Sequence, residues 1–149
     1  MGAFISKHGR AFGLDGSTRQ LISNGINITS PCVDATVTVS DETTNVRTIT
    51  IQLKDSEGAD INYVETVMVI LFTTAAMTAF VVTGGSTGIA IGTDGALLAL
   101  VAKKVFLATS EADGDIDLTW TDTGTEAAAI AVRLPSGRMV LGSQLLTNA

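Results

Sequence analysis

Histidine and cysteine, the side chains that most often carry nucleophilic and metal chemistry, occur once each, as His8 and Cys32. A single cysteine excludes an intrachain disulfide. Its setting between Pro31 and Val33 reads as a small buried hydrophobe rather than a reactive thiol. One His and one Cys are too few for a zinc site, and His8 stands in a glycine-punctuated terminal stretch that would position a general base poorly. It is read as a surface or interface histidine. Aromatic residues are scarce (five Phe, one Trp, one Tyr), which leaves little to stack on bases or to hold sugar rings. Charge is thin too, at 16% of residues against about 25% in ordinary soluble domains. What charge there is sums to −6, so the clustered Lys and Arg of a nucleic-acid binder are missing. No catalytic, cofactor or metal site is expected.

In their place the chain is rich in apolar residues, 46% of its 149, with mean hydropathy +0.39. That length suits one domain, which buries roughly 68–70% of its unfolded surface. A chain with so few charges has trouble covering its outside with polar groups. Part of the apolar excess is therefore expected at an interface with a second copy or another protein. No secretory leader is read at the N-terminus. The uncharged run Thr66–Thr93 is broken by threonines and glycines before it reaches the roughly 20 apolar residues of a spanning helix. No membrane span is expected.

Twenty-one threonines and fifteen glycines lean towards strands and turns. Thr36–Ser40 alternates, and after Asp41–Asn45 the alternation resumes, with Ile49, Ile51 and Leu53 on one face and Thr48, Thr50 and Gln52 on the other. Asp55-Ser56-Glu57-Gly58 then breaks the run, with Gly58 able to take a positive φ. Val64–Phe72 reads as an apolar strand covered on both faces. Ala79–Thr83 and Gly88–Gly92 read as short strands, with Thr93-Asp94-Gly95 as a hairpin turn. Ala96–Leu107 carries both helical and strand patterns and is read as strand, because strand signals surround it. Further on, Ile116, Leu118 and Trp120 face one way, as do Ala128, Ile130, Val132 and Leu134. Pro135-Ser136-Gly137 then turns the chain into Arg138–Ser143. Short strands at regular spacing describe a sandwich.

Two segments, one acidic and one glycine-rich, carry residue types that could support chemistry. Asp113-Gly114-Asp115-Ile116-Asp117 starts like a calcium loop, but Leu118 and Gly124 stand where an EF-hand needs Gly and Glu. It is read as a turn into a strand with carboxylates outside, with incidental calcium binding at Asp113, Asp115 and Asp117 left open. Gly84-Gly85-Ser86-Thr87-Gly88 has no Gly-Lys-Ser/Thr after it and reads as a loop between strands rather than a phosphate cradle.

Residues 1–30 differ from the remainder. Lys7, His8, Arg10 and Arg19 stand against Asp15 alone, and five glycines interrupt the stretch. It is read as an arm or edge segment preceding a sandwich at 31–149. Phe4, Ile5, Phe12 and Leu14 serve as its apolar anchors, and with Lys7 and Arg10 they make the expected partner-binding set.

Lys54-Asp55-Ser56-Glu57-Gly58-Ala59-Asp60-Ile61 after an alternating strand resembles the opening of bacterial Ig-like modules. Thr109-Ser110-Glu111-Ala112-Asp113-Gly114-Asp115-Ile116 and Leu134-Pro135-Ser136-Gly137-Arg138 are similar to their later turns. Together with the arm around Gly9-Arg10-Ala11-Phe12-Gly13-Leu14-Asp15, the layout resembles head decoration, or cement, proteins of tailed bacteriophages. The chain departs from them in its acidity and low aromatic content. The resemblance implies an all-β, Ig-like sandwich of antiparallel strands with an irregular N-terminal arm. It also implies a structural, non-enzymatic role in the virion, as an oligomer that stabilises the capsid. The partners it implies are the major capsid protein or other virion proteins and further copies of the chain, with no nucleic acid, membrane or cofactor. A tail, collar or fibre component, or a cell-surface Ig-like adhesion module, is the alternative.

Overall fold

The computed structural model describes residues 32–148 in full and, before them, the backbone of four short strands: β1 (Phe4–Ile5), β2 (Ala11–Leu14), β3 (Leu21–Ser23) and β4 (Ile26–Asn27). These four pair in order as an antiparallel meander, with Phe4 opposite Phe12.

The described residues contain no helix. Nine further strands follow: β5 (Asp34–Val39), β6 (Val46–Lys54), β7 (Thr66–Phe72), β8 (Gly88–Ile91), β9 (Ala96–Val101), β10 (Val105–Thr109), β11 (Asp115–Thr121), β12 (Ala129–Arg133) and β13 (Met139–Leu141). They make two antiparallel sheets, one in the order β5-β6-β11-β8 and the other β13-β12-β7-β10-β9. The chain is a β-sandwich. The strand positions correspond to the A-B-E-D and G-F-C-C′-C″ sheets of an immunoglobulin variable-type sandwich. The path differs between C and E, because β8 is laid into the first sheet before the β9–β10 hairpin is added to the second.

Period-two alternation decides which residues meet between the sheets. Val37, Val39, Ile49, Ile51, Leu53, Ile116, Leu118 and Trp120 point inward from one sheet. Val67, Val69, Leu71, Phe106, Ala108, Ile130 and Val132 point inward from the other. The alternating runs expected to be buried are buried: Ile49, Ile51, Leu53, Ile116 and Trp120 are wholly inaccessible. Ala96–Leu107 is strand, broken by the turn at Ala102–Lys104 in which Lys103 takes a φ of 60°. Gly58 takes a positive φ, 83°.

Three expectations shift. The apolar strand starts at Thr66, and Val64 before it is exposed. In Ala79–Thr83 only Phe80 makes a bridge, to Phe72, and their rings stack. Thr93–Gly95 is no hairpin turn. It carries the chain from one sheet to the other, because β8 pairs with β11 while β9 pairs with β10. The uncharged run Thr66–Thr93 is thus a central strand, a loop and an edge strand, and among the described residues no helix is long and apolar enough to cross a membrane.

Candidate functional site

Both sheets are apolar inside, but their outer faces differ. On the outside of the four-stranded sheet, β5 presents Thr36 and Thr38, β6 presents Thr48, Thr50 and Gln52, and β11 presents Asp115, Asp117, Thr119 and Thr121. That is the polar half of an ordinary alternating strand.

The register of the five-stranded sheet sets a different row across its outside. Val101, Val105, Ile70, Ala131 and Leu141 lie side by side, one from each strand. The next row is Leu98, Leu107, Met68, Arg133 and Met139. Nine of these ten side chains are apolar. The middle ones shield one another, so Ala131, Val105 and Ile70 are buried without belonging to the core between the sheets. The ends are open, with Leu98 62% and Val101 50% exposed. An apolar sheet face that runs out to exposed leucine and valine at its margin is the kind of patch that marks a contact surface.

The margin itself is β9. Its partner in the sheet is β10, and among the described residues no hydrogen bond from outside that ladder reaches Leu97–Leu100. The edge at β5 is treated otherwise. There Ser143 N–H donates to the Val37 carbonyl, Val39 N–H donates to Ser143 Oγ at 2.9 Å, and the Gln144 amide donates to the Val39 carbonyl.

A second cluster lies where β8 passes into β9. Asp94, Asp115 and Asp117 bring carboxylate oxygens within 4.8 Å of one another. Asp117 is held by hydroxyls, accepting from Thr50 at 2.9 Å and from Thr93. One oxygen of Asp115, Oδ1, is buried without a hydrogen-bond partner. Burial first, then the charges of Asp117, Asp113 and Asp94, push the Asp115 carboxyl above its ordinary value. Of the three residues left open for calcium, two belong to this cluster. Asp113 turns back to accept from the Asp115 N–H at 3.3 Å, and Asp94 takes its place. The crossover between sheets supplies Asp94, which sequence spacing could not show.

The glycine-rich loop holds an anion, but one from this chain. Glu126 accepts from the N–H groups of Thr83 (2.8 Å), Gly84 (2.9 Å) and Gly85 (3.0 Å) and from the Thr83 hydroxyl. Ser86 N–H goes to Asp122 Oδ1 at 3.0 Å. Partial burial would raise the Glu126 pKa, but these donors outweigh it and hold the carboxyl down at about 2. The loop is an internal staple whose amides are already engaged. Gly84 and Gly85 have φ near +80°, and a Cβ on Gly84 would fall 2.3 Å from the Lys103 carbonyl oxygen. Cys32 is buried, and burial first, then the nearby Glu65 charge, push its thiol up to about 11, so it is not poised as a nucleophile.

Of the expected partner-binding residues, Phe4 and Ile5 lie on β1 and Phe12 and Leu14 on β2. Their side chains, and Lys7 and Arg10 altogether, lie outside the described residues, as does His8. Sequence reasoning missed the outer rows of the five-stranded sheet. The signal was present: Ala96-Leu97-Leu98-Ala99-Leu100-Val101 is apolar at every position, where a half-solvated strand would alternate. Comparison with protein-family models, curated proteins and solved structures found no match for the chain.

Proposed function

We propose that the chain is a non-enzymatic structural protein of a tailed-bacteriophage virion, one that decorates and stabilises the capsid as an oligomer. The observation that carries this reading is the apolar outside of the five-stranded sheet, with Leu98, Leu107, Met68, Val101 and Leu141 in two adjoining rows. A rigid, nearly uncharged sheet face excludes water from a contact without directional chemistry, which suits a protein whose task is to hold neighbours together. The polar face of the other sheet then stays towards solvent. In this reading the basic N-terminal segment, with Phe4, Ile5, Lys7, Arg10, Phe12 and Leu14, supplies attachment to the major capsid protein.

The test uses heads and tails of the phage whose genome carries the gene, purified separately and free of this protein. The purified chain should bind heads saturably and raise the temperature at which they release DNA. Binding to tails alone, or to neither, overturns the capsid reading. Removing residues 2–30 should abolish binding to heads while the far-UV circular dichroism spectrum stays that of a β protein. Undiminished binding moves attachment onto the sandwich.

A further inference from the structure

We infer that β9 is a self-association edge, on which a second copy of the chain adds its own β9 antiparallel about a two-fold axis, joining the two five-stranded sheets into one. This rests on the oligomer part of the reading above but not on any place in a virion.

The backbone comes first. An edge strand presents unpaired N–H and C=O groups to solvent, and proteins that stay monomeric guard it with Lys, Pro, short length or a covering segment. Ala96–Val101 has six residues, no charge and no proline, and among the described residues no hydrogen bond from outside the β10 ladder reaches Leu97–Leu100. The other edges of the two sandwich sheets are guarded. β5 is capped by Ser143 and Gln144, β8 has four residues and starts with glycine, and β13 has three. A single bulge interrupts β9, between the Val101 and Ala99 pairings, and it leaves Ala96–Ala99 regular.

Charge then chooses the occupant and its direction. The strand has an acidic start and a basic end. Before it stand Asp94, with Asp115 and Asp117 beside it, and Glu111, which accepts from Gly95 N–H at 3.3 Å. After it stand Lys103 and Lys104, and among the described residues neither is ion-paired. Lys103 Nζ donates to the carbonyls of Gly85 and Ser86, which leaves its charge uncompensated. Antiparallel pairing centred on Leu98, which then faces its own copy across the two-fold axis, sets Asp94 of one copy beside the turn that carries Lys103 and Lys104 of the other, once the bulge between Ala99 and Val101 is counted, and the axis repeats the match. A parallel pairing would set acid on acid and base on base, which is unfavourable for residues directly opposite. The strand is therefore complementary to itself in one direction. Leu98, which is exposed, lies at the centre of that contact.

Sedimentation velocity of the full chain at micromolar concentration tests this, in low and in raised salt. The expected species has twice the chain mass of 15.4 kDa or an even multiple of it, and raised salt weakens it. Leu98→Lys places two like charges across the axis and should weaken association by about tenfold or more. Lys104→Glu and Asp94→Lys should each weaken it alone, and mixing the two variants should restore a heterodimer. This charge swap carries the test if Leu98→Lys fails to fold by circular dichroism. A wild-type monomer overturns the proposal. An oligomer that neither Leu98→Lys nor the charge variants disturb overturns it too, while leaving an oligomer built on another surface.

Discussion

The two sheets of this sandwich bury the same kind of inner face and expose opposite kinds of outer face. On β6 and β11 the outward positions from Thr48 to Gln52 and from Asp115 to Thr121 are all Thr, Gln or Asp. On β7, β10 and β12 the corresponding positions are Met68, Ile70, Phe72, Val105, Leu107, Ala129 and Ala131, with Thr66, Thr109 and Arg133 at the strand ends. The inner faces explain why the chain folds. The difference between the outer ones is what points to assembly, because core packing does not require Ile70 or Leu98 to be apolar.

The inner faces should be equivalent, and this carries the largest expected effect. Leu53→Ala in the four-stranded sheet and Leu71→Ala in the five-stranded sheet both empty wholly buried sites. Each should cost about 2–5 kcal/mol in chemical denaturation. A loss confined to one of them would mean that the sheets do not share a core. The seam between the sheets comes next. The Gly84–Gly85 loop is wedged between the β9–β10 turn and Trp120, since a Cβ on Gly85 would meet the Trp120 ring at 2.9 Å. Gly84→Ala should therefore cost clearly more than Gly137→Ala. Gly137 has a similar φ of 88° but open space around it, so its replacement should cost only the ~1–2 kcal/mol of a left-handed residue.

Smaller again is the contrast between the outer faces. Ile70→Asn puts an amide among Val105, Ala131 and Met68 and should cost about 1–3 kcal/mol. Thr48→Ala on the polar face should stay within about 0.5 kcal/mol. Equal effects would erase the distinction between the faces.

The smallest effects are those of pH, and they run in opposite directions. Glu126 is held below its ordinary 4.5, at about 2, so its ionised form stabilises the fold. That contribution is fully present above pH 4.5 and is lost as pH falls towards 2. Asp115 is raised above 3.8, so its ionised form opposes folding at neutral pH, and the penalty is relieved as pH falls through its raised value. Thermal melts at pH 7 should show Glu126→Gln lowering the midpoint and Asp115→Asn raising it. The Asp115→Asn difference should vanish below about pH 3.8 and the Glu126→Gln difference only near pH 2. The same sign for both variants would contradict the assignment of the two carboxyls.

Much of the fold was legible because burial imposes a period of two. Ile49, Ile51 and Leu53, then Ile116, Leu118 and Trp120, announce strand, face and core together. Crossovers are less legible. Nothing local in Thr93-Asp94-Gly95 says whether the next strand stays in the same sheet, so its reading as a hairpin turn failed, and with it went the placement of Asp94 beside Asp115 and Asp117. The proposed contact surface was legible only as an excess. Composition said that more apolar surface exists than one small core takes. Pairing register was needed to gather Val101, Val105, Ile70, Ala131 and Leu141, drawn from five separate stretches of chain, into one row.

Amide hydrogen exchange, compared between dilute and concentrated solutions of the full chain, asks most directly which side of the sandwich is the interface. Association through the apolar sheet predicts slower exchange at high concentration over Ala96–Lys104, with β5, β6 and β11 unchanged. Protection that appears on β5, β6 and β11 instead, or no change anywhere, would contradict it.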